Sequence, residues 1–216
     1  ARNPRTASRH LPKGVLKTSE VILLICFCFL LLIISAFMIN PLCVVLLPFP
    51  AFLFFIYSFT KRFTWTCHMI LGAACGCAPL GAWIAVKGNI SWISIVLGVV
   101  VMFWVAGFDI IYATHDVEFD REEGLFSIPA SFGIKKALII SAIFHGFAVI
   151  LLFYLHTLAN MGKFYLAGVI ITSVLLMYEH LLVSPNNLRN VTIASYSINQ
   201  IVSVTMLVFA VIDVLV

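Results

Sequence analysis

The sequence predicts an all-α integral membrane protein, a bundle of seven transmembrane helices. Three observations carry this. Of 216 residues, 62% are hydrophobic and only 10% charged, with a mean hydropathy of +1.12, whereas a soluble domain carries charge at roughly a quarter of its positions. A bilayer core of about 30 Å takes about 20 apolar helical residues, and seven segments approach that length: 21–39, 43–59, 66–86, 91–111, 137–155, 163–183 and 193–215. With seven spans threaded in alternation, eleven of the 13 Lys and Arg fall on one side, as the positive-inside rule requires of the cytoplasmic face.

The elements follow in order. Residues 1–20 are polar and basic, with Arg2, Arg5, Arg9, Lys13 and Lys17; they lack the apolar stretch of a signal peptide and read as a cytoplasmic segment. The chain opens on Ala1 without a Met, so a preceding portion is expected. Asn40-Pro41 turns the first span into the second, and Lys61-Arg62 return the chain to the basic side. The third span is small-sided through Gly72, Ala73, Gly76, Ala78 and Gly81, the spacing of a closely packed membrane helix, and Pro79 is placed to kink it. Lys87-Gly88-Asn89 and Ser184-Pro185-Asn186-Asn187 supply further turns, whereas 112–136 is one long polar loop. An odd number of spans places the C-terminus outside. The six Cys have no zinc-ligand spacing and read as packing residues. The net charge of +4 belongs to the loops, so it argues for membrane topology and against a nucleic-acid partner.

Six of the nine acidic residues lie between 109 and 123: Asp109, Asp116, Glu118, Asp120, Glu122 and Glu123. If the fourth helix continues at 100° per residue, Asp109, Tyr112, Asp116 and Asp120 share about 80° of arc. Carboxylates kept this close beside a membrane suit a divalent cation, and Mg²⁺ binds through one or two carboxylates plus phosphate oxygens. The opposing loops are basic, so the two sides together would grip a diphosphate, with its apolar tail among the spans. The His residues read differently: His68, His145 and His156 stand isolated in or beside apolar spans, where packing is the expected role. Glu179 and Asn199 are polar groups that need partners in a membrane; they could meet an acceptor or bridge helices.

The run Asp109-Ile-Ile-Tyr112-Ala-Thr-His-Asp116-Val-Glu-Phe-Asp120-Arg-Glu-Glu-Gly124-Leu-Phe-Ser127-Ile-Pro129 resembles the second aspartate-rich motif of the UbiA family of intramembrane aromatic prenyltransferases. Asn3-Pro-Arg5-Thr6-Ala-Ser-Arg9 resembles the sequence that directly follows the family's first aspartate-rich motif. Tyr57-Ser-Phe-Thr-Lys61-Arg62-Phe-Thr, Gly76-Cys-Ala-Pro79-Leu-Gly81-Ala-Trp83 and Tyr178-Glu179-His180 are also similar to family blocks. The resemblance implies a nine-helix bundle of which seven spans, 21–216, are present here. It also implies that the first motif and two helices are absent, and that the chain as given is inactive or nearly so. Glu122, Glu123 and Phe126 depart from the family pattern, which often has basic residues or His there, and so remove phosphate donors.

The roles implied by the resemblance are specific. Asp116 and Asp120 would ligate Mg²⁺ on the diphosphate of a polyprenyl donor. Lys61, Arg62, Arg5 and Arg9 would stabilise the departing pyrophosphate. Asp109 and Tyr112 would orient the aromatic acceptor or take its proton. The closest-looking branches prenylate 4-hydroxybenzoate for ubiquinone, or serve the futalosine route to menaquinone. The expected place is the inner (cytoplasmic) membrane, with the N-terminus and motif loops cytoplasmic. A small transporter or an inactive scaffold are the alternatives; a transporter would need paired ionisable or unwound segments at mid-membrane, whereas the ionisable residues gather at one surface.

Overall fold

A computed structural model describes Asn3 and residues 5–216; Arg2 and Pro4 of the opening segment lie outside the described residues. Seven helical segments are long and apolar enough to cross a membrane. The first, α1 (Thr18–Ile39), buries only Ala36 among the described residues. It stops because Pro41 pushes Asn40 into extended backbone. The Asn40 side chain then accepts from the Cys43 amide at 3.0 Å and donates to the Ile84 carbonyl at 3.0 Å. The second span differs from the single helix expected over 43–59. It is split into α2 (Pro41–Leu46) and α3 (Pro48–Thr60), because Pro48 has no amide to donate to the preceding turn.

The next helices are α4 (Cys67–Lys87), which runs on through Pro79, and α5 (Trp92–Ala113). Gly88 ends α4 at φ 69°, a left-handed cap that glycine adopts without steric cost. These two helices approach closely: a Cβ added at Gly72 would collide with the Met102 carbonyl, and one at Gly76 with that of Gly98. The small-sided third span thus serves the close packing expected of it.

The fourth span runs on into the motif to Glu122, but its winding changes at Thr114. Thr114–Asp116 form a 3₁₀ turn, followed by α6 (Val117–Glu122) and α7 (Ile128–Phe132). Thr114 Oγ1 donates to the Ile111 carbonyl at 2.7 Å, a local bond that competes with regular helix. The long loop is therefore built from short helices. Three spans complete the bundle: α8 (Ile134–Leu158), α9 (Lys163–Leu182) and a π-helical turn (Ile193–Ile198) that runs into α10 (Asn199–Leu215).

The core is centred on α5. One side of it meets α4; on the other, Gly107 lies against His145 of α8, and Ser141 Oγ donates to the Gly107 carbonyl at 2.7 Å. Val96 and Val100 of α5 pack with Leu152, Leu155 and Val169 of α8 and α9. At the other end of the bundle from the motif, Asp213 of α10 accepts from the Phe164 and Tyr165 amides at 3.0 and 3.1 Å, a carboxylate placed on the positive N-terminus of α9. Between α1, α2, α3 and α4 lies an apolar cavity of about 660 Å³ that includes Phe29, Leu32, Cys77 and Ile84 among its lining residues.

Candidate active site

The site forms where the N-terminal segment, the end of α3, the start of α4 and the end of α5 meet the short motif helices. Arg5 arrives from the N-terminal segment and clamps Asp116: Nε donates to Oδ1 at 2.9 Å and Nη2 to Oδ2 at 2.6 Å. This two-point geometry is the fork that guanidinium presents to a carboxylate. Asn3 Nδ2 adds a third bond to Asp116 Oδ1 at 2.8 Å. Arg5 Nη1 also donates to the Tyr112 hydroxyl, and the guanidinium carbon lies 4.9 Å from the Tyr112 ring centroid. The bond to Asp116 holds the Arg5 guanidinium above its ordinary pKa.

Asp120 has its own cation. Its side chain is almost wholly buried, and Oδ2 accepts from Lys61 Nζ at 2.9 Å and from Ser127 Oγ at 2.9 Å. The local sequence builds this contact. Gly124 adopts φ 65° after α6, which turns the chain back; the Leu125 amide donates to the Asp120 carbonyl and the Phe126 amide to the Lys61 carbonyl. Ser127 then caps α7 and reaches Asp120 with the same hydroxyl.

Asp109 turns elsewhere. It faces α4, where its Oδ2 lies 2.7 Å from His68 Nδ1. His68 is fully buried and is not isolated: the Ile128 amide donates to its Nε2 at 3.3 Å. The structure thus brings together Arg5, Lys61, Tyr112, Asp116 and Asp120, with Asp109 alongside on a separate partner. Arg62 lies over the Phe59 ring at 5.6 Å, and Arg9 is exposed; neither bonds to an acidic side chain among the described residues.

Asn3, Ser127 and His68 are site residues that sequence reasoning passed over. Asn3 and Ser127 lay inside the quoted motifs, and their Asx and Ser chemistry was the available signal. His68 gave none in its own neighbourhood, since its partner is on another helix.

A second polar group lies inside the bundle. Asn199 Nδ2 donates to Glu179 Oε2 at 3.2 Å, and the Trp104 indole donates to Asn199 Oδ1. His145 Nδ1 lies 3.0 Å from His180 Nε2, while His145 Nε2 donates to the Trp104 carbonyl at 3.2 Å. Glu179 and Asn199 therefore bridge α9, α10 and α5, and His145 joins α8 to them.

Among the described residues no three His, Cys, Asp or Glu side chains converge as a ready-made metal cage. Asp116 and Asp120 nevertheless fit Mg²⁺, which takes one or two carboxylates and fills its octahedron with water and phosphate oxygens. What the arrangement offers chemically is two carboxylates, each neutralised by a cationic side chain, at one end of an apolar bundle.

Comparison with known proteins places this geometry. The profile of the UbiA prenyltransferase family matches residues 1–202. The chain is 32% identical over 184 residues to a 4-hydroxybenzoate octaprenyltransferase of Vibrio campbellii, covering 83% of this chain and 63% of that protein. It is 30% identical over 210 residues to the protein of the same name from Francisella tularensis subsp. mediasiatica, covering 97% of this chain and 73% of the relative. The chain thus spans less than two thirds of the length of the Vibrio protein. Among solved structures, the apo structure of a UbiA homolog from Aeropyrum pernix K1 superimposes with a TM-score of 0.89 at 27% identity, covering 98% of this chain and 78% of that one.

Proposed function

Because the chain belongs to the UbiA prenyltransferase family, we propose that it moves a polyprenyl group from its diphosphate to an aromatic acid, with 4-hydroxybenzoate as the acceptor, in quinone biosynthesis. The observation that supports this most is the pair of ion pairs at one end of the bundle, Arg5 with Asp116 and Lys61 with Asp120. A diphosphate exchanges into such a site favourably. Its oxygens would take over Arg5 and Lys61, and Asp116 and Asp120 would then be the residues to hold Mg²⁺. Bound there, Mg²⁺ would neutralise charge on the phosphate oxygens.

The chain's own residues have distinct tasks. Arg5 and Lys61 bind the diphosphate and stabilise the negative charge that grows on it as the allylic carbon–oxygen bond breaks. The prenyl carbon forms its new bond to an aromatic ring carbon, and that ring carbon gives up its proton. Asp109 stands ready to receive it, and Tyr112, held by Arg5, orients the acceptor. Arg62 and Arg9 serve the electrostatic field of the surface and contribute to positive-inside anchoring. The basic side is cytoplasmic, and the protein resides in the inner membrane.

The test is transfer of a radiolabelled polyprenyl diphosphate to 4-hydroxybenzoate in membranes, with Mg²⁺ or with EDTA, by the protein extended upstream of Ala1 and by its Asp116→Ala/Asp120→Ala variant. Metal-dependent product that disappears in the double variant supports the reading. Diphosphate binding without labelled 4-hydroxybenzoate rejects the acceptor, and neither binding nor transfer rejects the transferase itself.

A further inference from the structure

We infer that His68 is a positioning residue for Asp109: from inside the protein it holds one carboxylate oxygen and leaves the other directed to the acceptor. This rests on the transferase reading above.

The hydrogen bonds fix which ring nitrogen carries the proton. A backbone amide can only donate, so the Ile128 amide at 3.3 Å makes His68 Nε2 an acceptor. A neutral imidazole then has its N–H at Nδ1, which lies 2.7 Å from Asp109 Oδ2. The backbone of the motif turn thus selects the tautomer that donates to Asp109. Asp109 Oδ1 receives no hydrogen bond among the described residues, and the Asp109 side chain is 19% exposed, whereas His68 is 0% exposed. One oxygen is therefore anchored and the other accessible.

The contact is built by helix packing. His68, Gly72 and Gly76 recur every four residues along α4, one stripe of the helix. Gly76 abuts Gly98 and Gly72 abuts Met102 on antiparallel α5; the same line continues to His68 facing Asp109. The Ile128 amide belongs to the residue after Ser127, whose hydroxyl holds Asp120. Closure of that turn over Asp120 and orientation of Asp109 are therefore one structural event.

Two measurements separate this inference from a packing role. In bilayers, ¹⁵N NMR of histidine-labelled protein, with the His68 signal identified by its loss in His68→Asn, should show a neutral ring protonated at Nδ1. A ring protonated at Nε2, or at both nitrogens, overturns the assignment. In the transfer assay, His68→Leu should lower kcat by about 100-fold, the loss typical of a misplaced catalytic group, with KM for the diphosphate within about twofold. His68→Asn, which keeps a donor near the Nδ1 position, should recover about tenfold of that loss. A Leu variant with wild-type kcat overturns the inference, as do Leu and Asn variants equally depressed in step with their folded yield. A wild-type protein extended upstream of Ala1 that transfers no prenyl group overturns the transferase reading instead, and the tautomer then decides whether the pairing stands.

Discussion

Lys61 sets the state of Asp120, because a buried carboxylate stripped of its cation carries an uncompensated desolvation penalty. Lys61→Ala is expected to lower the melting temperature in detergent and to weaken diphosphate binding at least tenfold. Added Mg²⁺ should raise the melting temperature of this variant more than that of wild type, because the ion replaces the missing cation; equal shifts would show that Asp120 is not a ligand. The membrane-buried Glu179 has the opposite sensitivity. Its Oε1 has no hydrogen-bond partner among the described residues, so Glu179→Gln, which keeps an acceptor for Asn199, should leave thermal stability unchanged or raise it. Asn199→Leu strands both the Trp104 indole and Glu179, and should cost about 2–4 kcal/mol. The acidic residues were legible in the sequence because they are neighbours along the chain. Their cations were only partly so: Arg5 and Lys61 reach Asp116 and Asp120 across 111 and 59 positions, and nothing local separates them from Arg9 and Arg62. His68 was read as a packing residue for the same reason, since its carboxylate is 41 positions away.

At the level of helices, apolar length was enough to place the spans, because a bilayer imposes one ruler on all of them. It could not reveal the break at Pro48 in its full consequence, nor the 3₁₀ turn at Thr114, since both depend on single hydrogen bonds that hydropathy does not weigh. The small-sided α4 shows how an element governs chemistry at a distance. Gly72→Leu places side-chain atoms against the Met102 carbonyl, which should force α4 from α5 and cost several kcal/mol, about the upper range for overpacking. The informative comparison is Gly81→Leu, where an added Cβ meets nothing within 4 Å. It should fold and transfer as wild type does. If both variants behave alike, the close approach of α4 to α5 is not what positions His68 opposite Asp109.

For the whole molecule, charge asymmetry predicts orientation. Alkaline phosphatase fused after Val216 should be active, and fused within the Lys135–Lys136 segment inactive, because only the former reaches the oxidising side where that enzyme folds. The reverse pattern would invert the topology and place the motif outside. The molecule is also unevenly held. Packing is tight from α4 to α10, whereas α1 buries only Ala36 against protein. Its end is fastened where Asn40 bonds to α4, and well before its start the N-terminal segment is tied to Asp116 through Asn3 and Arg5. The N-terminal segment is therefore a tether: it joins the least protein-packed span of the described bundle to a carboxylate of the site.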